Sequence, residues 1–133
     1  MKAVYATGTN YDDPLSVLEV GTMPEPETKP FWSTIRVNSA SVNHHDVWSL
    51  QGVGLSDEQT PMILGTDAAG VLEEDIPVRK GLKAGSEVVL YTFVGTDGAG
   101  VMPGERRSIL SERYAGTMAE YTQVPSANVF AKP

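Results

Sequence analysis

The chain has 133 residues and carries 10 Lys and Arg against 17 Asp and Glu, for a formal charge of −7. That balance argues against nucleic acid as a partner, because such affinity rests on clustered cations that neutralise phosphates. The absence of cysteine removes disulfides, thiolate metal sites and a cysteine nucleophile together, while 41% hydrophobic and 20% charged residues suit one folded domain of ordinary size.

With 13 Gly and 9 Pro, the composition favours many short elements joined by turns. Lys2 to Ala6 reads as a strand, Gly8 to Pro14 as a loop and Leu15 to Val20 as a second strand, together an opening hairpin. Pro24, Pro26 and Pro30 make the next stretch an extended connector. Thr34 to Val42 alternates as a strand with Ile35, Val37 and Ser39 on one face. His45 to Leu50 allows one or two helical turns ended by Gly52, the residue that most easily takes a left-handed conformation. Pro61 to Leu72 reads as a strand with a bend among its small residues, and Glu87 to Val94, entered through a turn at Gly85, as the most strand-like run. Gly95 to Gly104 is expected to be a surface loop, and Arg106 to Tyr114 fits no single state. Met118 to Val124 and Asn128 to Phe130 close the chain with extended structure. The fold class expected is therefore mainly β, a small barrel or sandwich with a few helical turns.

No apolar run approaches the roughly 18 residues of a spanning helix, and Met1 to Tyr5 leads into polar sequence without a signal-peptide core. A soluble, cytoplasmic chain with no membrane partner is expected.

Motifs for chemistry are few. In Gly98-Ala99-Gly100-Val101-Met102-Pro103 the third glycine of a dinucleotide fingerprint falls on Pro103, and no glycine pair precedes Lys-Ser/Thr as a phosphate loop requires. His44 and His45 are adjacent, so on a helix they diverge by about 100° and cannot easily grip one ion; at most one points into a site. His45 can be a proton carrier or a locally bonded histidine, and Asp46 a site residue or a helix cap. Trp32 and Trp48 can be core, cover or ligand platform. Glu73-Glu74-Asp75 reads as a solvated turn.

The order of segments resembles the N-terminal, GroES-like catalytic domain of the medium-chain dehydrogenase/reductase superfamily, and in particular its zinc-independent, quinone-oxidoreductase-like and alcohol dehydrogenase-like branch. The resemblance rests on Met1-Lys2-Ala3-Val4, Ser41 to Trp48 through Gly52, Pro61 to Gly70, Gly85-Ser86-Glu87-Val88, and Gly116 to Tyr121 with Val124-Pro125 and Asn128. Where zinc relatives place a catalytic cysteine this chain has Asn43, and where they place Gly-His-Glu it has Gly65-Thr66-Asp67. An amide and a hydroxyl are poor replacements for thiolate and imidazole. The lobe that carries four cysteines in those relatives corresponds to roughly Phe93 to Tyr114 and contains none. Neither a catalytic nor a structural zinc is expected.

The resemblance implies a GroES-like β-barrel. It also implies hydride transfer from NADP(H) or NAD(H) to a small-molecule carbonyl, quinone or enone, with Asn43 beside the nicotinamide and donors from Asn43, His45 and Thr66 stabilising the developing oxyanion. Trp48, Asp46 and Asp67 are expected to line the substrate cleft. Relatives continue into a nucleotide-binding Rossmann domain, whereas the sequence ends at Pro133, so the chain is expected to be inactive alone and to bind the cofactor weakly. An exposed apolar face, open to self-association, is also expected. The alternative function is a non-catalytic GroES-like module for protein association.

Overall fold

The computed structural model describes residues 1–95 and 106–133; most of the Gly95 to Gly104 loop lies outside them. The mainly β architecture expected from the sequence is the one adopted, with the strands spread over three antiparallel sheets that do not close on one another. The first sheet has the order β2-β1-β4, from β1 (Lys2–Ala6), β2 (Leu18–Thr22) and β4 (Met62–Ile63). The second has the order β10-β6-β5-β3-β9, from β3 (Trp32–Ser39), β5 (Ala69–Leu72), β6 (Glu87–Leu90), β9 (Tyr121–Pro125) and β10 (Val129–Ala131). The third pairs β7 (Phe93–Val94) with β8 (Ser108–Ile109).

The opening hairpin forms, but its second strand starts at Leu18 because Pro14–Val17 closes into a 3-10 turn with Pro14 at its start. β3 begins earlier than the alternation indicates, at Trp32, and ends at Ser39. Ile35 is its buried centre, Val37 is half-buried, and Ser39 is exposed rather than inward. The run from Pro61 to Leu72 is two strands in different sheets. Between them Gly65 takes φ +96°, and a Cβ there would stand 2.5 Å from Thr117 Oγ1 and 2.9 Å from the Met118 backbone nitrogen. Only glycine fits both the dihedral and the space. Likewise Glu87 to Val94 breaks at Tyr91-Thr92, so that β6 and β7 serve different sheets.

Two apolar clusters hold these layers. The larger gathers Trp32, Ile35, Leu72, Val88, Val124 and Val129 from the five-stranded sheet with Val94 from the small one and Leu110 just after it. The smaller joins Ala6, Met62 and Leu64 to Leu50 of α1 (His44–Leu50) and to Leu55. Burying Leu50 therefore fixes the helix against the first sheet, while β3 fixes the backbone that leads into it. No helix among the described residues is long and apolar enough to cross a membrane.

Candidate functional site

The candidate site forms where β3 ends and α1 begins. Asn43 is the N-cap, in extended geometry at φ −122° and ψ 160°, and Asp46 is the third helical residue of a capping box. The Asn43 backbone N–H donates to Asp46 Oδ2 at 2.7 Å, and the Gly65 N–H donates to Asp46 Oδ1 at 3.0 Å. Asp46 is 4% exposed, so both carboxylate oxygens are committed to main chain. Of its two sequence-level roles, the structure places Asp46 in the cap; it positions the residues on either side instead of facing a cleft.

That clamp brings Thr66 and Asp67 against Asn43. Asn43 Nδ2 lies 3.2 Å from Asp67 Oδ2, 3.2 Å from Ser41 Oγ and 3.5 Å from Thr66 Oγ1. An amide nitrogen has two hydrogens, so the two shorter contacts are its bonds and the Thr66 contact is the weakest. Ser41 completes the group: its N–H donates to Asp67 Oδ1 at 2.9 Å, and its hydroxyl approaches Oδ1 and Oδ2 at 2.8 and 2.6 Å. Partial burial pushes the Asp67 carboxyl up, but the hydrogen bonds from Ser41 and Asn43 outweigh it and hold the pKa below its ordinary value. Asp67 is thus a firmly ionised anchor. Thr66 is buried, and its hydroxyl proton has no acceptor within the group.

His45 belongs to a different cluster. Its Nε2 is 2.9 Å from Glu112 Oε1, and its Nδ1 faces the buried hydroxyls of Ser49 and Ser111 at 3.5 and 3.4 Å. An ionised Glu112 only accepts, so Nε2 carries the proton in that bond and Nδ1 of the neutral ring is left to accept from a serine. The side chains of His45 and Glu112 are 18% and 25% exposed. No bond among the described residues joins His45 to Asn43 or Thr66. His44 is exposed and its ring lies 6.0 Å from that of Trp48.

The two tryptophans separate. Trp32 is 8% exposed and part of the core, whereas Trp48 is 50% exposed on the outer face of α1 beside the partly exposed Val47. Trp48 is thus available to a ligand, while Asp46, Ser49 and Leu50 occupy the buried face. A groove of about 370 Å³ runs past the anchor, walled by Ser39, Ala40, Ser41, Asp67, Ala68 and Leu90.

Sequence reasoning missed Ser41, Ser111 and Glu112. Ser41 stands two residues before the cap and carries a usable signal, a hydroxyl able to bond its own loop. Glu112 carries none, since it meets His45 across 67 positions of sequence. The donors around Asn43 are an amide, hydroxyls and one carboxylate that is already hydrogen-bonded, which is not a zinc set. Among the described residues, no three His, Cys, Asp or Glu are grouped to hold a metal ion.

Comparison with known proteins puts this geometry in a family. The alcohol dehydrogenase GroES-like domain matches residues 29–133. An NAD-dependent alcohol dehydrogenase of known structure is similar at 36% identity and a TM-score of 0.79, over 100% of this chain and 40% of that one. A thermostable alcohol dehydrogenase from Pyrobaculum aerophilum, with cobalt and zinc bound, is 28% identical with a TM-score of 0.77, over 99% and 41%. The alcohol dehydrogenase of Aeropyrum pernix is 25% identical with a TM-score of 0.77, over 100% and 40%. No curated protein matches. The chain spans about 40% of the length of these solved relatives. It belongs to the alcohol dehydrogenase GroES-like domain family, the N-terminal catalytic domain of medium-chain dehydrogenases.

Proposed function

We propose that this chain is the catalytic-domain portion of a zinc-independent NAD(P)H-dependent oxidoreductase that reduces a small quinone, enone or carbonyl. The observation that carries the reading is the Asn43–Thr66–Asp67 cluster on a domain of this family. A reduced nicotinamide would supply the hydride, and the groove past Ser41 and Asp67, both of which bond Asn43, has room for a flat ring.

The residues then divide the work as follows. As hydride reaches the electrophilic carbon, the electron pair moves to the acceptor oxygen, and charge develops there. Thr66, whose hydroxyl proton has no acceptor among the described residues, donates to that oxygen. Asp67 holds the Asn43 amide on one side, so Asn43 presents a fixed edge to the reacting groups and to the cofactor. After transfer, His45, which lies in the neighbouring cluster, returns a proton from its imidazolium form, whose charge Glu112 balances, and is left as the neutral ring. Trp48 supplies an exposed apolar wall for the substrate, and Asp46 positions the whole cluster. The hydroxyl, amide and bonded carboxylate do not suit zinc, so oxyanion stabilisation here is by hydrogen bonds alone.

The test joins this chain to the nucleotide-binding remainder of the 36% identical relative and follows NADPH and NADH oxidation with a small quinone. Turnover that Thr66→Ala lowers at least about tenfold supports the reading; turnover unaffected by Thr66→Ala and Asn43→Ala overturns it. The chain alone is expected to show no sustained turnover. Stoichiometric zinc by elemental analysis would sink the zinc-free mechanism.

A second reading, a protein-association module, draws on one surface. Tyr91, Phe93 and Phe130 remain 43–45% exposed, with the Tyr91 and Phe93 rings 5.9 Å apart, around Asn128, whose amide bonds the Tyr91 and Phe93 carbonyls. Concentration-dependent dimerisation by sedimentation, lost in Phe130→Ser, would support self-association through this face.

A further inference from the structure

Beside the N-terminal half of β3 the fold forms a half-open cavity of about 280 Å³. None of Asn43, Thr66 and Asp67 lines it, although Ile63 stands three residues before Thr66 and Ala115 adjoins Gly116 at the crossing with Leu64 and Gly65. Its walls include Trp32, Tyr114, Lys29, Arg113, Ile63 and Gln123. In a chain of net charge −7, none of its walls among the described residues is a carboxylate. Pro24 and Pro26 line it, whereas Glu25 and Glu27, which alternate with them, do not.

The walls are also set in place. The Tyr114 hydroxyl donates to the Arg106 carbonyl at 2.7 Å, and its ring packs 5.2 Å from that of Trp32 at 53°. Lys29 Nζ stands 4.1 Å from the Trp32 ring centroid and 5.6 Å from that of Tyr114, so its charge is held at the aromatic wall. Arg113 is exposed and, among the described residues, has no hydrogen-bond or ion-pair partner. A second basic cavity, at Val78 to Leu82, differs in this respect: Arg79 already donates to the Ala127 carbonyl at 2.7 Å and lies over Phe130.

We infer that the cavity between Trp32, Tyr114 and Arg113 is a binding site for a small organic monoanion with an apolar body, of the aromatic carboxylate class. The planar guanidinium fork of Arg113 matches a carboxylate, and the Trp32 and Tyr114 rings with Ile63 and the two prolines receive the apolar body. The volume sits at the small end of the range for ligand pockets, which suits a single-ring acid and is too small for a dinucleotide. The site shares no lining residue with the Asn43–Thr66–Asp67 cluster.

The test titrates the isotope-labelled chain with benzoate, and with benzamide as the uncharged isostere, while following backbone and indole N–H signals by NMR. Benzoate should shift the Trp32 indole and Gln123 amide signals saturably, with the Trp48 indole as the internal reference for the other site. Benzamide should bind at least about fivefold more weakly, and Arg113→Gln should weaken benzoate by a similar factor while the remaining spectrum is unchanged. Equal binding of benzoate and benzamide, an unaffected Arg113→Gln variant, or no Trp32 shift at millimolar benzoate would each overturn the inference.

Discussion

Asp46 joins Asn43 to Gly65 through one carboxylate, accepting the backbone N–H of each at 2.7 and 3.0 Å. The helix cap and the turn that carries Thr66 are therefore one mechanical unit. Truncating Asp46→Ala leaves two amides without their acceptor, one of them buried. It should destabilise the fold by about 2 to 4 kcal/mol, and Asp46→Asn, which keeps one good acceptor, by less. Urea denaturation of the two variants checks the order.

The left-handed turn at Gly65 makes a second, independent demand. Gly65→Ala adds a Cβ to a residue at φ +96° and presses it on Thr117 Oγ1 and the Met118 backbone. The dihedral strain alone is about 1 kcal/mol, and the clash should carry the total above about 2 kcal/mol. Thermal melting should show a clear drop in Tm, whereas alanine at Gly81, where a Cβ meets nothing within 4 Å but φ is also positive, should show the dihedral term alone.

Asp67 makes stability depend on pH in a definite direction. Its folded-state pKa lies below the ordinary 3.8, so its contribution is fully present above that value. It is lost as pH falls through 3.8 toward the lower folded pKa, where the native carboxylate finally takes its proton. The stability advantage of the wild type over Asp67→Asn should therefore be constant from neutral pH to about pH 5 and shrink below about pH 4. Denaturant curves collected across that window measure it.

The two tryptophans offer a contrast between core and surface. Trp32→Ala removes a side chain 8% exposed from the main cluster and should cost about 3 to 5 kcal/mol. Trp48→Ala removes one that is half exposed and should cost less than about 1 kcal/mol. If Trp48 serves the substrate, the same change should raise KM in the joined protein far more than it lowers Tm.

Paired substitutions test the His45–Glu112 contact. A double-mutant cycle with His45→Asn and Glu112→Gln should give a coupling of about 0.5 to 1 kcal/mol, because both side chains remain partly solvated. A coupling near zero would show the 2.9 Å contact to be energetically idle.

What could be read from the sequence tracks the range of the interaction. The Asn43 and Asp46 spacing announces a cap locally, and Gly52 announces where the helix stops. The break at Gly65 is legible only as a bend among small residues, and the one at Tyr91-Thr92 not at all, since β-forming residues run through it. That each break hands the chain to another sheet depends on partners such as Tyr5 for Ile63, far away in sequence. His45 shows the limit most clearly: its type suggested a proton carrier, but its partner Glu112 sits in a stretch with no pattern of its own. Trp32 and Trp48 had the same composition-level description and opposite fates, decided by whether the flanking strand or the outer helix face carried them.

Gly65 and Gly116 have a further consequence. A Cβ on Gly116 would collide with the carbonyl oxygens of Leu64 and Gly65, so at this crossing two stretches of main chain touch with no side chain between them. The turn that carries Thr66 is thus backed by peptide groups together with the Thr117 hydroxyl, which donates to the Asp67 carbonyl at 2.7 Å, and a side chain added at Gly65 or Gly116 has no room. For the proposed reaction, adaptation to a larger or more polar acceptor must instead come from Ala40 and the exposed Trp48, where substitutions leave the main-chain crossing and the Ser41–Asp67 bonds untouched.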